Sequence, residues 1–251
     1  MYKYYIFILI ILFIWGFFIE PNLIVIKQYS VKFLNGKKII FISDLHIAKG
    51  DKKRLLNIIK KVNSLKPDLV LLGGDFIKGH DGKTTLPIEE IANELRQITV
   101  PKISVLGNHD GWYDKYRVKT ALENNGIKVL INSSAKFDNI YISGVDDLQT
   151  GCPAVKTALE NTGNPRILLT HSPDIYYEIK DRVDLILAGH VHGGQVRLPL
   201  IGALICPSKY GNKFSGGDYN ETGNRMIVSK GLGTSILSVR FCDIPEIILL
   251  K

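Results

Sequence analysis

Two histidines that stand two residues apart offer the first chemistry in this chain. His190 and His192 lie in the segment Gly189–Gln195, directly after the apolar run Leu185–Ala188. Imidazole is the commonest metal ligand in proteins, but histidine is also an ordinary loop residue. The pair alone is therefore also consistent with two surface histidines on a glycine-rich turn. As a site, a His-X-His pair that leaves a strand can reach two neighbouring ions, or hold one ion and one substrate group.

Four other apolar runs also end in side chains that bind metal ions. Across the five runs these side chains are Asp44 and His46, Asp75, Asn108 with His109, His171, and His190 with His192. Five of the six histidines stand at such ends, and only His80 does not. In open α/β sheets the carboxyl ends of strands line a common crevice, so these side chains are predicted to meet. Glycines directly before Asp75, Asn108 and His190 would let the backbone turn sharply there.

Seven of these groups are candidate metal ligands, which exceeds what one ion needs. They are Asp44, His46, Asp75, Asn108, His171, His190 and His192. Two divalent cations are therefore predicted. Carboxylate, amide and imidazole ligands suit Mn, Fe, Zn or Ni, and manganese is the favoured choice. A carboxylate can bridge two ions, and Asp75 is the candidate bridge because it is the lone acidic ligand on the central run.

Strand–loop–helix units are predicted to position these residues. The run Lys38–Ile42 leads into Asp44, and a helix with apolar residues at helical spacing follows until Pro67. The same unit repeats after Leu69–Leu72 and after Ile103–Leu106. This alternation is typical of an α/β domain.

Two local predictions flank these units. Asn35-Gly36 stands between apolar runs and predicts a hairpin turn whose second arm is Lys38–Ile42. Near the carboxyl terminus, Ile236–Phe241 is predicted to be a strand, between strands at Met226–Ser229 and Glu246–Leu250.

The composition favours one domain with anionic partners. The 251 residues are 45% hydrophobic, which suffices for one α/β domain with a sizeable core. The net charge of +8 favours phosphates or a phospholipid surface, whereas nucleic acid is possible but not singled out. Cys152, Cys206 and Cys242 are widely spaced, which indicates neither a disulfide framework nor a thiolate zinc site.

The amino-terminal segment predicts a membrane anchor. Tyr4–Ile19 contains no charge and no proline, and its length lies at the short end of the roughly 17 to 25 residues of a spanning helix. A cleaved signal peptide would need a small-residue cleavage site, but the first alanine is Ala48. A buried core helix is the other alternative. We expect residues 1–22 to form the anchor and residues 23–251 the catalytic domain.

Five ordered motifs resemble those of the calcineurin-like metallophosphoesterases. They are Asp44-Leu-His46, Gly74-Asp75, Gly107-Asn108-His109-Asp110, His171 and Gly189-His190-Val-His192. The resemblance implies a four-layer α-β-β-α sandwich with two mixed sheets, preceded here by the transmembrane helix. It also implies that one ion is held by Asp44, His46, Asp75 and His192, and the other by Asp75, Asn108, His171 and His190.

By the same resemblance, His109 is a catalytic residue and not a ligand. It would contact the phosphoryl oxygens or the leaving oxygen while a metal-bridging hydroxide attacks phosphorus. Phosphoprotein phosphatases of this family carry an acidic residue three places after the bridging aspartate, which pairs with this histidine. This chain has Lys78 at that place, so the partner of His109 stays open.

The continuation Gly193–Pro199, with the sequence GGQVRLP, is similar to that of small membrane-anchored bacterial members of the family. That subgroup includes hydrolases of the pyrophosphate bond in UDP-2,3-diacylglucosamine. The resemblance implies a phosphohydrolase acting on a membrane-associated lipid substrate of this kind. The alternatives are a phosphodiesterase on soluble nucleotides or nucleic acid, an extracytoplasmic lipid or cell-wall phosphoesterase, and a non-catalytic membrane scaffold. The scaffold would need a missing ligand, and none is missing.

Several features around the motifs bear on the substrate. His80 and Arg197 are candidate substrate contacts, although His80 is also readable as an ordinary surface histidine. The apolar segment Arg197–Pro207 is either a lipid-contacting lip or a strand packed in the core.

The charges on either side of the anchor predict its orientation. Lys3 precedes the anchor, whereas Lys27, Lys32, Lys37 and Lys38 follow it. Because positive residues stay inside, the catalytic domain is predicted to be cytoplasmic.

Overall fold

The computed structural model describes residues 2–251, and these residues form two layers of β-sheet between helices. The helices are α1 (Tyr2–Ile14), α2 (Lys52–Ser64), α3 (Ile88–Leu95), α4 (Asn108–Asn124) and α5 (Val155–Leu159). The strands are β1 (Val25–Tyr29), β2 (Ile39–Ile42), β3 (Leu69–Leu72), β4 (Lys102–Ser104), β5 (Ile127–Val129), β6 (Ser133–Phe137), β7 (Ile140–Gly144), β8 (Arg166–Leu169), β9 (Leu185–Ala188), β10 (Arg197–Leu198), β11 (Gly202–Ala203), β12 (Gly217–Tyr219), β13 (Met226–Val228) and β14 (Glu246–Leu250).

The first sheet has the strand order β1-β14-β2-β3-β4-β5. Strands β2 to β5 run parallel, and helices α2, α3 and α4 provide the crossovers that parallel neighbours require. Strand β14 is antiparallel to β2 and parallel to β1. The sheet is therefore mixed.

The second sheet has the strand order β12-β13-β9-β8-β7-β6. Its inner strands β7, β8, β9 and β13 run parallel, while the edge strands β6 and β12 are antiparallel to their neighbours. Strands β10 and β11 form a separate small hairpin after β9. This sheet is mixed as well.

Alternating side chains hold the layers together. In β2, Ile39 and Phe41 join the apolar cluster between the two sheets, whereas Ile40 and Ile42 pack with helices α2, α3 and α4. In β8, Leu169 faces the first sheet and Leu168 packs with α5 on the outer face. Because strand side chains alternate between faces, central strands such as β2 bury both of their faces. The predicted four-layer α-β-β-α sandwich is confirmed.

The hairpin predicted at Asn35-Gly36 was wrong. Strand β14 lies between β1 and β2 and pairs with both of them. Lys32–Leu34 form a 3-10 turn, which ends at Asn35 and Gly36 with φ of 50° and 84°. The turn signal was real, but pairing with a strand from the far end of the chain replaced the local hairpin.

The strand predicted at Ile236–Phe241 was also wrong. The segment is irregular and makes one isolated bridge, from Phe241 to Val196. Ile236 and Leu237 are exposed to solvent, so their apolar character does not reflect burial in a sheet.

The amino-terminal helix fits the length of a membrane span. Helix α1 continues through a wider turn at Trp15–Ile19 and a 3-10 turn at Glu20–Asn22. Together, Tyr2–Asn22 are 21 residues, long and apolar enough to cross a membrane. Its side chains are largely exposed, unlike those of a core helix. Met1, the first residue of the predicted anchor, lies outside the described residues.

Glu20 connects this helix to the rest of the chain. Its buried carboxylate accepts hydrogen bonds from the Cys242 amide at 3.0 Å and from the Asp243 amide. It also accepts one from the indole nitrogen of Trp15 at 2.5 Å. The end of the helix is therefore fixed to the segment around Asp243.

A buried arginine continues this connection. Arg240 has no exposed surface, and its Nη1 atom lies 3.2 Å from Asp243 Oδ2. Its guanidinium also donates to the carbonyls of Lys230 at 2.8 Å and Gly233 at 2.7 Å. The Gly233 amide in turn donates to the Asp44 carbonyl at 2.6 Å. Arg240 thus links the helix to a loop that contacts a predicted ligand.

Arg240→Met should destabilise the protein strongly. The substitution leaves the Asp243 carboxylate and several carbonyls buried without their donor, a loss of roughly 3–5 kcal/mol. The measurement is the urea midpoint of the full chain in detergent micelles, followed by circular dichroism. Arg117→Met is the control, because Arg117 pairs with Glu89 on the exposed surface and should change the midpoint little. Equal shifts for the two variants would contradict the role of Arg240.

Candidate metal centre

The five strand ends meet at one end of the two sheets. Strands β2, β3 and β4 supply residues from the first sheet, and β8 and β9 supply them from the second. The seven predicted ligands are all buried: Asp44, His46, Asp75, Asn108, His171, His190 and His192. Their candidate ligand atoms fall into two groups that share Asp75.

The first group joins Asp44, His46, Asp75 and His192, whose ligand atoms lie within 4.8 Å of one another. The Nε2 atom of His46 is 3.0 Å from His192 Nε2 and 3.4 Å from Asp75 Oδ2. The Asp44 carboxylate lies 3.7 Å from His192 Nε2. These four are the residues that the family resemblance assigns to one ion.

The second group joins Asp75, His171 and His190. The Nε2 atom of His171 is 3.3 Å from Asp75 Oδ2 and 3.2 Å from His190 Nδ1. Asn108 completes this group, because its Oδ1 atom lies 3.0 Å from His171 Nε2. The structure therefore brings all seven predicted ligands together around Asp75.

The donor set fits two cations. The Nδ1 atoms of His46 and His171 each donate to a main-chain carbonyl at 2.8 Å. Because a carbonyl only accepts, Nδ1 carries a proton in both rings, and Nε2 is the atom that each ring directs at the site. In the neutral ring of His46, Nε2 presents a lone pair. Both Nε2 atoms face the Asp75 carboxylate and further imidazole nitrogens. Acceptors that face one another at such distances repel unless cations lie between them.

Three of the four candidate imidazole ligands are in the form that binds metal. Burial lowers the pKa of His46 to about 3 and the pKa of His190 to about 4. Burial, with the neighbouring His46, also holds the pKa of His192 well below its ordinary value. All three rings are therefore neutral at pH 7, as metal coordination requires. The exception is His171: burial opposes its charge, but the Asp75 carboxylate raises its pKa well above the ordinary value, so a cation there would displace a proton.

Several candidate ligands have a left-handed backbone. The residues with this conformation are Asp44 (φ 56°), His46 (φ 40°), Asp75 (φ 58°), His190 (φ 73°) and His192 (φ 51°). Side chains other than glycine rarely adopt it, and each instance costs on the order of 1–3 kcal/mol. The site is thus built from strained positions that aim the side chains inward.

Glycine is needed before the ligands for two different reasons. Gly74, before Asp75, has a φ of 89°, which only glycine adopts readily. Gly107, before Asn108, has an ordinary φ of −106°. A Cβ atom there would lie 2.2 Å from Asp75 Oδ1 and 2.6 Å from His171. At Gly107, close packing of the ligands and not a sharp turn excludes a side chain.

His109 lies beside the two groups without belonging to either. Its ring is 4.5 Å from the ring of His46. Its Nδ1 atom donates to the Gly79 carbonyl at 2.9 Å, and its Nε2 atom lies 3.4 Å from Ser235 Oγ. The partner of His109 that the sequence left open is thus a main-chain carbonyl.

Lys78 performs a different task from the acidic residue that it replaces. Its ammonium group donates to the Thr234 carbonyl at 2.6 Å and to the Ser235 carbonyl. Burial lowers the pKa of Lys78 to about 8. Lys78 therefore fixes the loop that approaches His109, and its ammonium group bonds to that loop instead of to His109.

The two predicted substrate contacts lie in different surroundings. His80 is exposed, and its ring lies 4.8 Å from that of His109 and 4.4 Å from that of Trp112. Arg197 is half-buried and donates to the Gly193 carbonyl at 2.9 Å and to Ser215 Oγ at 3.0 Å. His80 thus stands next to the catalytic candidate, whereas Arg197 braces the turn after His192.

Two supporting residues were missed from the sequence. The buried Asp110 carboxylate accepts the amides of Asp75 at 2.8 Å, Phe76 at 2.9 Å and Gly107 at 3.0 Å. Gln149 lies with its amide 3.2 Å from His190 Nε2. Gln149 follows β7 in a loop at the same end of the second sheet, so the strand-end rule applied to β7 would have found it.

Comparisons with known proteins agree with this geometry. A family model described as calcineurin-like phosphoesterase matches residues 37–194. The metallophosphoesterase YkuE of Bacillus subtilis (strain 168) is 33% identical over 248 residues, which cover 92% of this chain and 86% of that protein. YpbG of the same organism is 31% identical, over 83% of this chain and 78% of that protein. The phosphodiesterase YaeI of Escherichia coli (strain K12) is 30% identical, over 94% of this chain and 88% of that protein.

The family model covers more than half of the chain and includes all seven candidate ligands and His109. The relatives extend the match over nearly the whole sequence. The chain therefore belongs to the calcineurin-like phosphoesterase family and is a metal-dependent phosphoester hydrolase.

Proposed function

We propose that this enzyme hydrolyses a phosphodiester or pyrophosphate bond in a lipid-linked substrate at a membrane surface, such as UDP-2,3-diacylglucosamine. The observation that carries the proposal is the apolar helix Tyr2–Asn22. Through Glu20, it is bonded to the same segment that holds Arg240 and the loop next to Asp44. A helix attached in this way would keep the metal centre close to the bilayer.

The proposed roles follow the two groups of side chains. Asp44, His46, Asp75 and His192 would hold one cation, and Asp75, Asn108, His171 and His190 the other. When bound, the two cations acidify a water molecule as the nucleophile and offset charge on the phosphoryl oxygens. Manganese is the proposed metal. His109 would stabilise or protonate the leaving oxygen through Nε2, since the Gly79 carbonyl holds its Nδ1 proton.

A soluble phosphodiester is the second candidate substrate. The relative YaeI is named a phosphodiesterase, a name that implies no lipid. Both candidates use the same metal centre, so they differ only in whether acyl chains contribute to binding.

Matched substrates separate these candidates. Full-length enzyme in detergent micelles with Mn²⁺ would be assayed on UDP-2,3-diacylglucosamine and on UDP-N-acetylglucosamine, which has the same pyrophosphate bond without the two long acyl chains. We expect kcat/KM to be at least roughly tenfold higher for the lipid, because each buried methylene contributes about 0.8 kcal/mol. A dinucleotide and bis(p-nitrophenyl) phosphate complete the panel. Equal or lower activity on the lipid than on these soluble substrates would refute the lipid proposal.

The domain division and the orientation are proposed together. Residues 1–22 would be the anchor and residues 23–251 the catalytic domain, on the cytoplasmic side of the membrane. One basic side chain, Lys3, precedes the helix, whereas Lys27, Lys32, Lys37 and Lys38 follow it.

Protease treatment of intact spheroplasts tests the orientation. We expect the catalytic domain to be protected until the membrane is permeabilised. Digestion from outside, with a cytoplasmic marker intact, would place the domain outside. The substrate would then be an extracytoplasmic lipid or wall phosphate.

A further inference from the structure

Two loops beside the metal centre carry exposed apolar side chains, which we call the apolar rim. The rim consists of Leu200, Ile201, Leu204, Ile205, Ile236 and Leu237. Leu200 is 108% exposed and Ile236 is 93% exposed, so neither side chain packs on its own domain. Between residues 26 and 251, the remaining exposed large apolar residues are Trp112 and Tyr116 on α4, the helix that begins at Asn108. Apolar exposure is thus concentrated around the site.

Gln195 joins the two loops of the rim. Its Nε2 atom donates to the Leu237 carbonyl at 3.2 Å, and its Oε1 atom accepts the Ser235 amide at 2.5 Å. The main chain adds a bond from the Arg197 amide to the Phe241 carbonyl at 2.9 Å. The rim is therefore one connected surface.

The same surface borders the metal centre. Gln195 follows His192 by three residues, and Ser235 Oγ lies 3.4 Å from His109 Nε2. Lys78 fixes the Thr234 carbonyl at 2.6 Å. A molecule held against the rim would therefore stand next to the catalytic side chains.

The rim is also tied to the amino-terminal helix. Arg240 follows Ile236 of the rim by four residues. Its amide donates to the Gly16 carbonyl at 3.0 Å. A Cβ atom at Gly16 would lie 3.3 Å from the Arg240 carbonyl oxygen and 3.4 Å from Val239, so the helix lies directly on this segment. Glu20 adds its bond to the Cys242 amide at 3.0 Å. The helix and the rim thus share one short stretch of chain.

We propose that the apolar rim inserts into the interfacial region of the same bilayer that the helix crosses, so that the metal centre opens against the membrane surface. The inference rests on the proposed anchor, and it adds a second membrane contact that determines the orientation of the site. The bilayer is the occupant because the rim adjoins an exposed apolar helix. Exposed apolar patches of this kind mark protein or membrane interaction sites, and apolar side chains of segments that bind at a bilayer surface are buried at the headgroup–acyl boundary.

Fluorescence quenching in vesicles tests this insertion. Leu200→Trp and Ile236→Trp would be made in the full chain and reconstituted into phosphatidylethanolamine–phosphatidylglycerol vesicles with brominated acyl chains. Asn139→Trp is the matched control, because Asn139 is exposed in the turn before β7, at the end of the second sheet away from the site. The wild-type signal from Trp15 and Trp112 is subtracted.

We expect brominated lipid to reduce the added fluorescence roughly twofold at both rim positions, as for a ring at the headgroup–acyl boundary, and to leave Asn139→Trp unchanged. Rim signals as insensitive as that of Asn139→Trp would overturn the proposal, including the case in which a protein partner covers the rim. Quenching does not measure turnover. A failure of rim insertion is therefore distinguishable from a failure of the lipid substrate, which only the activity panel reports.

A paired activity measurement gives the functional consequence. The double variant Leu200→Asn/Ile236→Asn should lose activity on a phosphodiester lipid held in vesicles while keeping activity on soluble bis(p-nitrophenyl) phosphate. Loss on both substrates would show that the rim supports the site itself and would contradict a purely interfacial role.

Discussion

Asp75→Ala should lose both bound cations and lower kcat/KM by more than roughly 10³-fold. Asp75 belongs to both groups of candidate ligands, with Oδ2 3.4 Å from His46 Nε2 and 3.3 Å from His171 Nε2. Removing its carboxylate therefore withdraws a ligand from each position at once. The measurement is the metal content per chain by mass spectrometry, which should fall from about two to near zero.

His192→Ala is the control for this shared role. His192 stands in the first group only, so its loss should weaken one cation and leave the other. Asp75→Asn keeps the shape of the side chain and removes its charge, so it tests whether the metal loss arises from misfolding. We expect the circular dichroism spectrum of Asp75→Asn to match that of the unmodified protein. Retention of both cations in Asp75→Ala would show that the bridge is misassigned.

His109→Ala should lower kcat by roughly 10² to 10⁴, the usual range for a general acid, while both cations stay bound. The ring is held by the Gly79 carbonyl at 2.9 Å, and Nε2 has no carboxylate partner among the described residues. Nε2 is therefore available for the proposed contact with the leaving oxygen, and His109 belongs to neither group of candidate ligands. Steady-state kinetics combined with metal analysis separates the two roles.

His80→Ala is the matched comparison for His109→Ala. His80 is exposed, and its ring lies 4.8 Å from the His109 ring. The substitution therefore removes a neighbouring imidazole and leaves both groups of candidate ligands intact. We expect a much smaller loss of kcat. If His109→Ala emptied a metal position, or if His80→Ala were equally inactive, His109 would not be the acid.

The strand-end rule explains why so much of the site was predictable. Parallel strands put their carboxyl ends at the same edge, so polar residues after buried runs had to converge, and Asp44, Asp75 and His171 did so. The same local reading failed for Asn35-Gly36, because β14 enters between β1 and β2. Pairing across the full length of the chain leaves no trace in a short window.

The supporting atoms around the ligands were less predictable. Asp110 holds the amides of Asp75 and Phe76, a task that depends on where the loop after β3 closes in space. The Gly79 carbonyl became the partner of His109, and main-chain carbonyls carry no sequence signature. The reason for glycine at position 107 was likewise not foreseen. Asp75 and His171 leave no room for a Cβ atom there, and both residues are distant in sequence.

The left-handed backbone at the ligands lowers the stability of the fold at positions that metal binding requires. Asp44, Asp75 and His190 hold φ of 56°, 58° and 73°, a conformation that glycine adopts without strain. Glycine at one of these positions would relieve the backbone while removing a ligand. Such a substitution should therefore stabilise the metal-free protein while it weakens metal binding, so engineered stabilisation must leave these positions untouched.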